Sequence, residues 1–168
     1  MLSSKYLLQK SFSSVLLFLF ASFFHMCLSW WPKYVDLTKF FCNINESVWE
    51  HMKMAWWAAI VVAFIEMIFF HWSKNRNFLM SKIFSSIILV AIIPILYYSY
   101  TYFIAGNLII DSLILIIAII IAQILEYLLM TKTHFYWTVY YISLFAFLMV
   151  CYLFMSFSVN APNYLLFK

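Results

Sequence analysis

One glycine, Gly106, is all that this chain of 168 residues contains. That excludes the glycine-rich phosphate cradles, which need several backbone positions free of a Cβ to approach the phosphates. Membrane helices often close on one another through glycine. Here alanine and serine must supply such contacts, or aromatic bulk must fill wider gaps. Charge is scarce too: Asp, Glu, Lys and Arg make up 10% of the chain, against about 25% in an ordinary soluble domain. There is no basic cluster with interleaved polar residues, which sets nucleic-acid binding aside. Three cysteines are too few for a disulfide framework, and their odd number leaves at least one free. No C-x-x-C motif occurs. Neither a separate soluble domain nor an internal repeat, such as the inverted repeats of many secondary transporters, is apparent.

What the chain does have is apolar surface. It is 67% hydrophobic and 23% aromatic, so it lacks the polar area to cover a globule in water. Five runs reach or approach the ~20 apolar residues that cross a hydrocarbon core about 30 Å thick. They cover about 11–31, 47–70, 83–104, 108–130 and 135–157. The prediction is an all-α polytopic transmembrane bundle, one domain over 1–168, embedded in the lipid bilayer of the cell membrane. The first run also resembles a secretory signal peptide, because Lys5 and Lys10 precede it. It continues through "HMCLSWW" without a small-residue cleavage site, which favours an uncleaved helix. Most links are short and force antiparallel neighbours. Only "PKYVDLTKFFCNINE" has room for structure of its own.

Orientation is read from the basic residues. Lys5, Lys10, Lys74, Arg76, Lys82 and Lys132 fall on one side; Lys33, Lys39, Lys53 and Lys168 fall on the other. Basic residues collect on the cytoplasmic side, so the N-terminus is expected inside. The net charge of +4 is therefore read as topology. Cys27 and Cys42 then share the outer side, where a disulfide between them can form.

A charged side chain at the bilayer centre costs about 2.5–3.5 kcal/mol on insertion scales. Glu66, Asp111 and Glu126 therefore need a use or a partner. At about 100° per residue, Asp111, Leu115, Ala118, Ala122 and Glu126 form one stripe, and small residues and acids avoid lipid. That stripe is expected to face the bundle. Two polar layers result. The outer gathers His25, Glu46, Glu50, His51, Tyr98, Tyr100 and Asp111, a candidate ligand-binding set. The inner gathers Glu66, Gln123 and Glu126 with His71 and His134. No ladder of polar residues joins them, which argues against an ion pore. Glu66 suits a structural hydrogen bond, and His71 and His134 an interfacial place. Pro94 should kink its helix and re-aim "YYSYT", whose hydroxyls could then line the outer pocket; an aromatic interface belt is the plainer reading of those tyrosines.

The stretch "NESVWEHMKM" opens the second run. Ser47 to Glu50 fit S-x-x-E, a capping box that satisfies free amides at a helix start. Glu46 and Glu50 are expected one turn apart on one face, with Lys53 a turn beyond. The plain reading is a capped, salt-bridged helix start. The alternative is a site for a divalent cation or an amine. A metal needs three or four converging ligands. His51 is rotated about 100° from Glu50, so another segment must help. The candidate metal ligands are His25, Glu46, Glu50, His51 and Asp111. Glu50 and His51 are also the candidates for acid–base catalysis.

"NESVWEH" followed by a hydrophobic span resembles the signature of a family of small bacterial integral membrane proteins of unknown function. His25 resembles that family's first-helix histidine, and Glu66 the acid near the end of its motif helix. "IPILYYSYT" resembles its I-P-x-x-x-Y-x-Y-T segment, Asp111 the acid opening the next span, and "APNYLLF" its C-terminal pattern. After His25 the chain departs, with "CLSWWPK" in place of a Y-E-W-S-like run. The resemblance implies the bundle and points at Asn45, Glu46, Trp49, Glu50, His51, Pro94, Tyr98, Tyr100 and Asp111. It implies no reaction.

The leading functional expectation is an integral membrane protein with an outward-facing polar pocket for a cation, an amine or a lipid headgroup. An accessory subunit, bound to another membrane protein or to its own copies, is the alternative. So is a small proton-linked transporter resting on Glu66 and Glu126. Whether the chain is an enzyme stays open.

Overall fold

The computed structural model describes residues 4–30, 38–70, 77–132 and 135–167. They form α1 (Ser4–Trp30), α2 (Thr38–Phe41), α3 (Val48–Phe69), α4 (Phe78–Thr101), α5 (Leu108–Lys132) and α6 (Trp137–Val159), closed by a 3-10 turn at Leu165–Phe167. There is no strand among the described residues. All but α2 are long and apolar enough to cross a membrane. The chain is an all-α bundle of five such helices. Lys33, Lys74, Arg76, Lys168, His71 and His134 lie outside the described residues.

Two helices begin earlier than the apolar runs suggest. α1 starts at Ser4 and α4 at Phe78, so Lys10 and Lys82 are helical rather than flanking. Both are buried. A charged residue interrupts a hydropathy pattern, but it does not interrupt a helix once its charge is matched by a neighbouring helix. α4 runs unbroken through Pro94.

α1 packs on α3 and α5, and α4 packs on α3, α5 and α6. Ala118, Ala122 and Glu126 on α5 are almost wholly buried, as are Ser81 and Ser85 on α4. Small side chains there allow the close approach that glycine supplies elsewhere. Between α3 and α6 the other solution applies. Trp49 lies 4.7 Å from Phe154 and Trp56 lies 5.3 Å from Phe147, centroid to centroid. Phe167 of the closing turn adds a third ring against Trp49 at 4.8 Å. The outer faces are bare hydrocarbon, with Ile117, Ile120, Ile121 and Ile124 of α5 and Phe145 and Leu148 of α6 exposed. Acyl chains are as apolar as these side chains, so such faces are stable in a bilayer and not in water. The alternation of the helices gives the bundle two polar ends, one marked by His25 and the other by Lys10.

Candidate functional site

The His25 end is built by the segment between α2 and α3. Cys42 is disulfide-bonded to Cys27 near the end of α1, with the two Cα atoms 5.9 Å apart. Next to it, the Asn43 amide donates to the Phe24 carbonyl at 3.3 Å. Asn45 Oδ1 accepts from the Ser47 amide at 3.0 Å. Ser47 is the N-cap of α3 in extended backbone, φ −71° and ψ 155°, and its hydroxyl accepts from the Glu50 amide at 3.4 Å. That is half of the expected capping box. The Glu50 carboxylate does not return to Ser47; it accepts from the Ile44 amide at 2.9 Å and from Lys53 Nζ at 2.6 Å.

This corrects the sequence expectation for the two acids. Glu46 and Glu50 do not share a face, because the helix starts at Val48 and Glu46 lies before the cap. Glu46 keeps 75% of its side chain exposed, whereas Glu50 keeps 5%. Glu50 belongs to a buried pair with Lys53, which also donates to the Lys39 carbonyl at 2.8 Å and to Ser158 Oγ at 3.2 Å.

Glu46 meets the two histidines instead. Its Oε2 lies 3.2 Å from His25 Nε2 and 3.7 Å from His51 Nε2. The imidazole centroids are 5.5 Å apart. One ligand atom from each of the three residues falls within 4.8 Å of the other two. His51 Nδ1 lies 2.9 Å from the Ser47 carbonyl oxygen. A carbonyl only accepts, so Nδ1 carries the hydrogen and Nε2 faces Glu46.

Asp111, in the first turn of α5, accepts from the Tyr100 hydroxyl, and that oxygen accepts from the Asn107 amide at 3.2 Å. With Glu46, His51 and Tyr97, Asp111 lines a cavity of about 180 Å³ floored by Met54, Ile93 and Leu115. With His25, His51 and Ser112 it lines a second of about 250 Å³. Neither lining contains a lysine or arginine. Tyr98 lines neither; its hydroxyl is buried without a hydrogen-bond partner. Tyr100 lines neither cavity either and meets the site through its bond to Asp111. Tyr97, the first tyrosine of "YYSYT", is the one of that stretch on the cavity wall; sequence reasoning missed Met54, three residues after His51, which helical i,i+3 spacing finds.

At the Lys10 end the two inner acids have partners the sequence reading did not give them. Lys10 Nζ lies 3.3 Å from Glu66 Oε1 and also contacts Glu126. Lys82 Nζ lies 2.8 Å from Glu126 Oε2 and also contacts Glu66. Ser13 Oγ donates to Glu66. All four charged residues are buried. Two ammonium groups and two carboxylates from α1, α3, α4 and α5 thus neutralise one another. Gln123 is buried nearby on α5 with its Oε1 unpartnered, and shares a groove with Lys10.

A family model matches residues 3–168, almost the whole chain. The chain belongs to DUF6512, a family of unknown function. No curated protein and no solved structure matches it.

Proposed function

We propose that this DUF6512 protein is an integral membrane protein that binds a small cation in the polar cavity at its His25 end. One observation carries the reading. Among the described acids, Glu50, Glu66 and Glu126 each contact a lysine, whereas Glu46 and Asp111 have no lysine or arginine partner and line one cavity. Asp111 is half-buried, and a carboxylate held in a partly dehydrated site is stabilised by an opposite charge. Tyr97 adds an aromatic face of the kind that attracts cations. The apolar floor of Met54, Ile93 and Leu115 lowers the local dielectric, which strengthens any charge pairing there.

Isothermal titration of the detergent-purified protein with zinc chloride, magnesium chloride, ethanolamine and choline tests this. At least one of the four binds with 1:1 stoichiometry, and Glu46→Gln and Asp111→Asn each weaken it tenfold or more. No binding by any of them, or unchanged binding in both variants, overturns the reading.

A further inference from the structure

The chemistry of the three side chains facing one another at the cavity mouth names the cation. We infer that His25, Glu46 and His51 form a three-ligand site for a divalent transition metal of the zinc class, with an open fourth position toward Asp111. This deepens the cation-binding reading and rests on it.

Distance comes first. Tetrahedral zinc holds nitrogen at about 2.0–2.1 Å and carboxylate oxygen at about 2.0–2.2 Å, which puts neighbouring ligand atoms about 3.3–3.5 Å apart. Glu46 Oε2 lies 3.2 Å and 3.7 Å from the two Nε2 atoms, and all three ligand atoms lie within 4.8 Å of one another. An ion at their centre needs only a small inward shift of the three side chains, of which Glu46 is exposed and the two histidines are half-buried.

Tautomer comes second. With Nδ1–H of His51 directed to the Ser47 carbonyl, Nε2 is the ring nitrogen that faces the Glu46 carboxylate and the one available to a metal. An imidazole whose far nitrogen donates to a backbone carbonyl is also the usual outer support of a metal-bound histidine.

Ligand type comes third. Two imidazoles and one carboxylate suit zinc and its neighbours, whereas magnesium and calcium prefer all-oxygen sites. Three protein ligands leave a position for water or substrate. Position is fixed by the disulfide, whose Cys27 lies two residues after His25 on α1 and whose Cys42 begins the segment leading to Glu46.

The test uses the full chain in detergent, stripped with chelator and loaded with cobalt(II), a coloured stand-in for zinc. The expected result is one cobalt per chain, intense visible bands of a four-coordinate ion, and their loss on adding zinc. His25→Ala and His51→Gln each weaken cobalt binding tenfold or more and change the bands. The wild-type spectrum decides the matter even where a variant fails to fold. A pale six-coordinate spectrum, or histidine variants that bind cobalt like wild type, overturns the metal site. If ethanolamine or choline still binds and depends on Glu46 and Asp111, the cation cavity stands without the metal. If no cation binds, both readings fall together. A protonated His51 paired with Glu46 predicts the pale spectrum and is thereby distinguished.

Discussion

Two glutamates four positions apart behave differently because one precedes a helix cap and the other follows it. Glu46 is mostly exposed, and Glu50 is buried against Lys53. Glu46→Gln should therefore change folding stability by no more than about 0.5 kcal/mol, the usual range for a surface substitution. Glu50→Gln should lower it by about 3 kcal/mol, because an unmatched buried ammonium remains at Lys53. Thermal-shift measurements in one detergent compare the two directly, and equal effects contradict the assignment. Gly106 offers a third case. A Cβ there meets only Tyr97 Oη at 3.7 Å and Tyr100 Oη at 4.0 Å, ordinary contact distances, and its backbone is not left-handed. Gly106→Ala should leave the thermal midpoint unchanged, so the lone glycine is not a conformational requirement.

At the scale of elements, two cross-links hold the ends of the bundle. The disulfide closes a separation of 15 residues between α1 and the segment before α3. Chain-entropy reasoning gives such a loop about 3 kcal/mol of stabilisation. Replacing both cysteines with serine should cost roughly that in a thermal or denaturant assay. It should also weaken cobalt binding, since Glu46 and His25 are then positioned only by hydrogen bonds. At the other end, Glu126→Gln should cost about 3–5 kcal/mol, because it leaves buried ammonium groups under-matched. Adding Lys82→Met to it should recover part of that loss, which a simple sum of two damaging changes does not predict. The long helices themselves were readable from apolar runs, and the cap from Ser47 and Glu50. The four-charge network was not. Lys10 and Lys82 look like loop markers of topology, and only the lateral packing of α1 and α4 on acids 56 and 44 positions away reveals otherwise. Glu46 was assigned the wrong companion for a related reason. Helical spacing was applied to Glu46 although it precedes the Ser47 cap, where the backbone is not helical and i,i+4 neighbours do not share a face.

For the whole molecule, pairing alters how charge reports orientation. Lys10, Lys53 and Lys82 are buried against carboxylates, so they add little free positive charge at either end. Without them the basic residues stand at four against three. The disulfide supplies a separate argument, because such bonds persist in oxidising compartments. It favours the His25 end outside and the N-terminus in the cytoplasm. The five spans among the described residues put the chain before α1 and the chain after α6 on opposite sides. A fluorescent-protein fusion at the N-terminus should glow, and an alkaline phosphatase fusion at the C-terminus should be active; the reverse pattern refutes this orientation. The ion network also bears on how the protein is made. Lys10 lies in α1, while Glu126 comes from α5, further along the chain. α1 must therefore wait at the insertion machinery, or sit shallowly, until α5 has been translated. A nascent chain halted before α5 leaves the bilayer with an incompletely matched lysine, a natural mark by which quality control can tell an unfinished copy from a finished one.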